Sequence, residues 1–97
     1  MTEARGYVEG EHNEHEVMLC ALSTCIWCRK MREFLEAEGI AFNFVYVDLL
    51  DGEERDAVKA EVRQWNPRAS FPTVVIDGGE HCVVGAKTDS VKEVLGL

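Results

Sequence analysis

Residues 17–36, VMLCALSTCIWCRKMREFLE, decide the fold because they join a buried strand to an amphipathic helix. VMLCAL is a short continuous apolar run, which is typical of a strand that is buried on both faces. The residues that follow carry apolar side chains at helical spacing, with Cys25 at the predicted start of the helix and Cys28 one turn later. The sequence therefore predicts a cysteine pair at a strand-to-helix junction.

The remainder of the chain continues this alternation of strands and helices. The second strand is again apolar and rich in aromatic residues, the second helix ends before a proline, and two glycines join a predicted hairpin. The resulting order is β-α-β-α-β-β-α, so we expect an α/β domain whose four-stranded mixed sheet carries three helices on both faces. The predicted elements after the first helix are FNFVYVDLL, a helix from Asp51 to Trp65, TVVID, EHCVV and a helix from Thr88 or Ser90 to about Leu95.

Residues 1–16 differ from the rest of the chain because they are polar, acidic and without periodicity. We predict that they form a flexible extension, and that residues 17–97 form one domain. His12 and His15 have a spacing that could hold a metal ion on a helix, but no helix is predicted there. The segment has no apolar stretch suited to a secretory signal, so we expect a cytoplasmic protein.

Composition limits the possible functions. The 97 residues carry 18 acidic and 10 basic side chains, a net charge of −8. This balance argues against nucleic-acid binding, which needs a basic surface, and against binding to anionic membranes. No run approaches the roughly 18 apolar residues that cross a bilayer. In a reducing cytoplasm, four cysteines indicate catalysis or metal binding more than structural disulfides.

The spacing of the cysteine pair assigns different roles to its two sulfurs. The first amides of a helix have no internal partners and favour a thiolate. Cysteines in such sites have pKa values of about 3.5–7.5. Cys25 shares a polar helical stripe with Arg29, whereas Cys28 shares an apolar stripe with Met31. We therefore predict that Cys25 attacks disulfides and Cys28 resolves the product, with Arg29 and Lys30 helping to stabilise the thiolate.

Metal binding is the alternative for a C-x-x-C pair, because such a pair is also half of a zinc site. Zinc would need two further ligands, and the candidates are His81, Cys82, Cys20 and the histidines of residues 1–16. His81 and Cys82 are neighbours on a predicted strand and so face opposite sides. We assign no metal ligands, and interpret Cys20 and Cys82 as small buried apolar residues.

The segments CIWC, ASFPTVVIDG and VVGAKTD resemble the glutaredoxin family of the thioredoxin-like superfamily over residues 17–97. This resemblance implies a thioredoxin-like (glutaredoxin) fold and a thiol–disulfide oxidoreductase with Cys25 as nucleophile and Cys28 as resolving cysteine. It also implies substrate binding by a loop with a cis proline, by the aromatic residue of CIWC and by a glycine–threonine segment. The substrate-binding residues implied are Trp27, Ser70, Phe71, Pro72, Gly85 and Thr88.

The electron donor is left open by a departure from the family pattern. Members that use glutathione commonly carry a lysine three residues before the first cysteine, where this chain has Leu22. Arg68 could substitute as a carboxylate partner. The resemblance allows glutathione as co-substrate, or reduction by a thioredoxin-reductase-type flavoprotein, as in redoxins that serve ribonucleotide reductase.

The resemblance carries a metal alternative as well, since some glutaredoxins hold a [2Fe–2S] cluster between two subunits. Bulky Trp27 and the missing lysine favour the redox function instead. We expect disulfide-containing protein substrates, no tightly bound cofactor, no nucleic-acid or membrane partner, and a monomer that takes part in electron transport and cell redox homeostasis.

Overall fold

The computed structural model of the protein describes residues 3–97, which form five strands, three α-helices and two short 3₁₀ turns. The 3₁₀ turns span Val47–Leu49 and Asp77–Gly79. The strands and helices are β1 (Arg5–Val8), β2 (Val17–Ala21), α1 (Ile26–Ala37), β3 (Phe42–Tyr46), α2 (Gly52–Trp65), β4 (Thr73–Ile76), β5 (His81–Val84) and α3 (Thr88–Leu95).

The strands form one mixed sheet in the order β1-β3-β2-β4-β5. β2 and β3 are parallel because α1 carries the chain back across the sheet between them, and the other neighbours are antiparallel. The predicted βαβ unit, the β4–β5 hairpin and the three helices are confirmed. None of the helices in residues 3–97 has the length and apolarity to span a bilayer.

The predicted number of strands is wrong, because β1 lies inside the segment that we predicted to be a flexible extension. Its residues pair antiparallel with β3, from Arg5 opposite Val45 to Val8 opposite Phe42. Gly6 fits under the ring of Phe44, where a β-carbon would lie 2.8 Å from the ring. Four residues are too few to show a clear alternation, so tertiary pairing defines this strand.

The chain between β1 and β2 is also held against the domain. His12 donates its backbone amide to the carbonyl oxygen of Gly39 and accepts from the amide of Ala41. The Nδ1 atom of His15 lies 2.8 Å from a carboxylate oxygen of Asp77. The prediction of a flexible extension is therefore wrong for these residues, while residues 1 and 2 lie outside the described part.

The sheet is covered by α1 and α3 on one face and by α2 on the other. The larger core lies under α1 and α3, where burying each large apolar side chain contributes about 1.5–3 kcal/mol. α1 buries Cys28, Met31 and Leu35, which confirms the predicted apolar stripe. A smaller cluster under α2 contains Cys20 and Val62. Cys28 and Cys20 thus lie on opposite faces of the sheet.

The β4–β5 connection is longer than the predicted two-glycine turn. Ile76 pairs with His81, so four residues, 77–80, form the turn. Gly79 has a φ of +109° and packs against the indole of Trp65, with no room for a side chain. Asp77 also has a positive φ and is held by its hydrogen bonds to residues 15 and 16.

Candidate active site

The predicted site residues converge at one end of the sheet. Parallel strands β2 and β3 both end there, and the antiparallel strand β4 begins there. The amide of Gly85, after β5, donates to the carbonyl oxygen of Pro72, before β4, at 2.8 Å. α1 follows β2 and α3 follows β5, so both helices also begin on the side of this edge.

Cys25 is the N-cap residue of α1, with extended backbone angles (φ −89°, ψ 120°). Its Sγ atom accepts a hydrogen bond from the backbone amide of Cys28 at 3.2 Å. Its own amide donates to the carbonyl oxygen of Leu22. The residue is half-buried, so it is partly accessible to solvent. The predicted position of Cys25 at the start of the helix is confirmed.

Cys28 is placed very differently, although it is only three residues away. It is 1% exposed and belongs to the core under α1. Burial of the thiol, followed by its hydrogen bond with Cys25, raises the pKa of Cys28 to about 12. Both sulfurs are free thiols in this structure. The site therefore presents one accessible sulfur with a protonated thiol directly behind it.

The two residues between the cysteines are exposed and apolar. Ile26 is 60% exposed and Trp27 is 57% exposed. The ammonium of Lys30 lies 4.8 Å from the centre of the Trp27 ring, a cation–π contact that holds the indole against the helix. Arg29 is exposed beside them. The predicted contribution of Arg29 and Lys30 to a thiolate stays a prediction.

The loop before β4 has the cis peptide bond, between Phe71 and Pro72, that the resemblance implied. Asn66, which is 4% exposed, donates from its side-chain amide to Ser70 and to the hydroxyl of Thr73. The Thr73 hydroxyl in turn donates to the carbonyl oxygen of Ser70 at 2.6 Å. Asn66 therefore fixes this loop, a role that the sequence analysis missed.

Gly85 and Thr88 both lie at the same edge of the sheet. Gly85 follows β5 with a φ of +87°, a conformation that favours glycine. Thr88 is the first residue of α3, and the N-cap position belongs to Lys87. Leu22 is half-buried in the loop before Cys25, and Arg68 is exposed after α2. The predicted parts of Gly85 and Thr88 in substrate binding, and of Arg68 as a carboxylate partner, stay predictions.

A second interaction missed by the sequence analysis joins Ser23 and Asp48. The amide of Ser23 donates to one carboxylate oxygen of Asp48 at 2.9 Å, and the Ser23 hydroxyl donates to the other at 2.5 Å. The register pairs Ala21 with Tyr46, so Ser23 and Asp48 each stand two residues beyond paired strand ends. Polar residues at equal offsets from two parallel strands are the signal that could have found this pair.

Comparisons with known proteins agree with this geometry. A family model described as Glutaredoxin matches residues 17–82. A glutaredoxin from Methanosarcina mazei is 39% identical over 98% of this chain and 90% of its own, with a TM-score of 0.90. The methanoredoxin of Methanosarcina acetivorans is 36% identical over 88% of each chain, with a TM-score of 0.84.

A third solved structure, a glutaredoxin from Archaeoglobus fulgidus, is 36% identical over 84% of this chain and 87% of its own, with a TM-score of 0.77. A comparison with curated protein sequences found no match. The structural likeness thus extends over nearly the whole chain, including β1 in the first of these relatives.

Proposed function

The chain belongs to the glutaredoxin family, and on that premise we propose that it is a dithiol–disulfide oxidoreductase in which Cys25 attacks and Cys28 resolves. The observation that carries the proposal is the placement of the Cys25 sulfur at the open N-terminus of α1, hydrogen-bonded to the Cys28 amide. A sulfur in this position is stabilised as an anion by the helix dipole and by unpaired amides.

In the first step the Cys25 thiolate attacks one sulfur of a substrate disulfide. A bond forms between Cys25 and that sulfur, the substrate's sulfur–sulfur bond breaks, and the other substrate sulfur leaves as a thiolate that takes a proton from solvent. The half-buried position of Cys25 leaves its sulfur open to such an approach. The product is a mixed disulfide between the protein and half of the substrate.

In the second step Cys28 resolves the mixed disulfide. Its thiol loses a proton to solvent and attacks the Cys25 sulfur. The bond between Cys25 and the substrate sulfur breaks, and the remaining half of the substrate leaves as a thiolate that takes up a proton from solvent. The Cys28 side chain faces Cys25 from within the core, which shields its thiol from external disulfides. The substrate has gained two electrons and two protons, and the protein holds a Cys25–Cys28 disulfide that a reductant must reopen.

The residues around the cysteine pair suit the disulfide of a protein. Exposed Ile26 and Trp27 offer an apolar surface beside the nucleophile. The loop with Phe71 and Pro72 lies beside it, since β4 begins where β2 ends, and it is held rigid by Asn66. A substrate segment can therefore contact both sides of Cys25 at once.

We propose that this chemistry takes place in the cytoplasm and that the protein is a monomer that maintains thiol redox balance. The donor that reopens the disulfide is either glutathione or a thioredoxin-reductase-type flavoprotein. Apolar Leu22 beside Cys25 offers no charge for a glutathione carboxylate, whereas Arg68 is exposed and available for one.

The test is reduction of insulin disulfides with each donor system in turn. We expect NADPH consumption that depends on the protein when it is coupled either to glutathione with glutathione reductase or to thioredoxin reductase. The donor that supports turnover identifies the physiological class of reductant. Failure of the fully reduced protein to reduce insulin in a single turnover would contradict the proposed function.

A further inference from the structure

The strongest unexplained polar contact near the cysteine pair is the one between Ser23 and Asp48. It consists of two hydrogen bonds, in which the amide and the hydroxyl of Ser23 donate to different oxygens of one carboxylate. Two hydrogen bonds to a fixed acceptor define an orientation as well as a distance. Ser23 stands two residues before Cys25, in the only stretch of backbone that joins β2 to α1.

Asp48, which accepts both hydrogen bonds, lies in a part of the chain that is held in place by the sheet and the core. Asp48 belongs to the short 3₁₀ turn that follows β3, and the preceding Val47 is fully buried. β3 pairs with β2 along its length. A displacement of Ser23 would therefore have to stretch bonds to a part of the chain that the sheet holds still.

We propose that Asp48 is a positioning residue, which clamps the loop before Cys25 through Ser23 and holds a negative charge close to the cysteine pair. This proposal rests on the proposed dithiol function. It assigns to Asp48 no contact with the substrate.

The electrostatic part follows from the surroundings of Cys28. The titratable groups whose charges act on it are Cys25, from the start of α1, and Asp48, from the turn after β3, and each raises the pKa of Cys28. The core around its thiol is otherwise apolar. For Asp48 itself, slight burial is outweighed by the hydrogen bonds from Ser23, so its pKa is lowered and its charge persists at neutral pH.

The two parts of the proposal act on different chemical steps. Clamping the loop affects attack by Cys25, because attack needs the sulfur at the helix N-terminus. The charge affects resolution by Cys28, because a negative neighbour hinders loss of its proton. Variants at one position can therefore change the two steps independently, which a merely structural role would not do.

The experiment uses an aromatic disulfide whose thiolate absorbs visible light, mixed with the reduced protein under single-turnover conditions. The first thiolate released reports attack by Cys25, and the second reports resolution by Cys28. Variants Asp48→Ala, Asp48→Asn and Ser23→Ala are compared over a range of pH. Asp51→Asn and Asp51→Ala are matched controls, since Asp51 is an exposed acidic residue three positions later without a side-chain capping bond.

In Asp48→Ala we expect the first phase to slow by about three- to tenfold, in line with the loss of hydrogen bonds to a charged group. Ser23→Ala should slow the first phase less than Asp48→Ala does, because this variant loses the bond from the hydroxyl but keeps the bond from its backbone amide. Asp48→Asn should attack at the wild-type rate, since its oxygen accepts from the Ser23 amide and its NH₂ can donate to the hydroxyl. The Asp51 variants should match the wild type.

The second phase should respond to charge. Resolution should quicken by about twofold in Asp48→Asn, and its pH profile should move to lower pH, since a weaker negative potential eases ionisation of Cys28. An unchanged profile in Asp48→Asn would overturn the electrostatic part of the proposal.

The clamp is overturned if Asp48→Ala attacks as fast as the wild type, or if Asp48→Asn is as slow as Asp48→Ala. Thermal unfolding midpoints identify variants that fail to fold. If Asp48→Ala does not fold, Ser23→Ala is the test, and a first phase as fast as that of the wild type also overturns the clamp. A wild-type protein that releases no thiolate overturns the dithiol function and this proposal together. If the wild type releases thiolate in two phases and the variants are unaltered in both, both parts of this proposal are overturned and the dithiol function stands.

Discussion

Two pairs of cysteines lie in this small domain, and they differ in almost everything except residue type. Cys25 and Cys28 lie at the N-terminus of α1, with an amide of one residue donating to the sulfur of the other. Cys20 and Cys82 lie on strands, on the face that α2 covers. Burial, followed by the charges of Glu61 and Cys82, raises the pKa of Cys20 to about 12, and burial raises the pKa of Cys82.

The comparison shows that position decides what a cysteine can do. Cys28 and Cys20 have similarly raised pKa values, and both are protonated at neutral pH. Only Cys28 lies one helical turn from a sulfur that can become part of a disulfide, so only Cys28 can act as an intramolecular nucleophile at high effective concentration. Cys20 is also a free thiol, but it lies on strand β2 and not beside the reacting sulfur at the N-terminus of α1.

The largest expected effect comes from Cys25→Ser. A hydroxyl at this position is a far poorer nucleophile toward disulfides, so we expect reduction of insulin or of a small disulfide to fall by at least about a thousandfold. The measurement is the initial rate with either donor system. Cys82→Ser is the matched control and should keep its rate. Substantial activity in Cys25→Ser would show that the attacking sulfur lies elsewhere.

Cys28→Ser should separate attack from resolution. With Cys25 intact, the variant still forms a mixed disulfide, but no internal thiol releases the substrate. We expect a covalent protein–substrate adduct that persists until reductant is added, and slower turnover on protein disulfides. Intact-protein mass spectrometry before and after reduction checks this. Release of both substrate halves at the wild-type rate would contradict the assigned role of Cys28.

Cys20→Ala and Cys82→Ala test the other half of the comparison. We expect activity within about twofold of the wild type for both, because neither sulfur reaches the reacting atoms. Cys20→Ala should cost about 1 kcal/mol in the free energy of unfolding, since it leaves a small void beside Val45 and Val62. Denaturant titration and the insulin assay measure the two effects. A large activity loss at normal stability would give the strand cysteines a redox role.

The effect that is smallest near neutral pH is a dependence of stability on pH, because it appears only at alkaline values. In the unfolded chain, cysteines ionise near 9.0, whereas the folded protein raises the pKa of Cys20 and Cys28 to about 12. The unfolded state thus releases protons first, and each group should lower the free energy of unfolding by up to about 1.4 kcal/mol per pH unit between these values. The contribution is constant below about pH 8.

Denaturation of the reduced protein at rising alkaline pH checks this effect. Other groups titrate in the same range, so the comparison is between the wild type and Cys20→Ala. The variant should lose stability less steeply as the pH rises. Equal slopes would mean that Cys20 ionises as readily in the folded protein as in the unfolded chain.

The sequence was sufficient for the features that follow from local pattern. The apolar stripe of α1, the βαβ unit and the place of Cys25 all follow from residue spacing, and the structure confirms them. The cis bond at Pro72 came only from resemblance, because a proline before an apolar strand is compatible with either isomer.

The features that the sequence did not reveal depend on distant partners. β1 is stabilised by pairing with β3, which lies more than thirty residues away along the chain. Asn66 reads as an ordinary residue after a helix, yet it is buried and bonded to Ser70 and Thr73. Asp48 and Ser23 become neighbours only when the register of two parallel strands is known. A local sequence pattern does not show which distant residues will become neighbours in the fold.

The central claim is that Cys25 is the reactive sulfur among the four free cysteines. Brief treatment of the reduced protein with iodoacetamide at about pH 7, followed by peptide mass spectrometry, tests it directly. The structure predicts a single adduct on Cys25, with Cys20, Cys28 and Cys82 unmodified. An adduct that forms first on Cys28 or on a strand cysteine, or a Cys25 that stays unmodified, would contradict the claim.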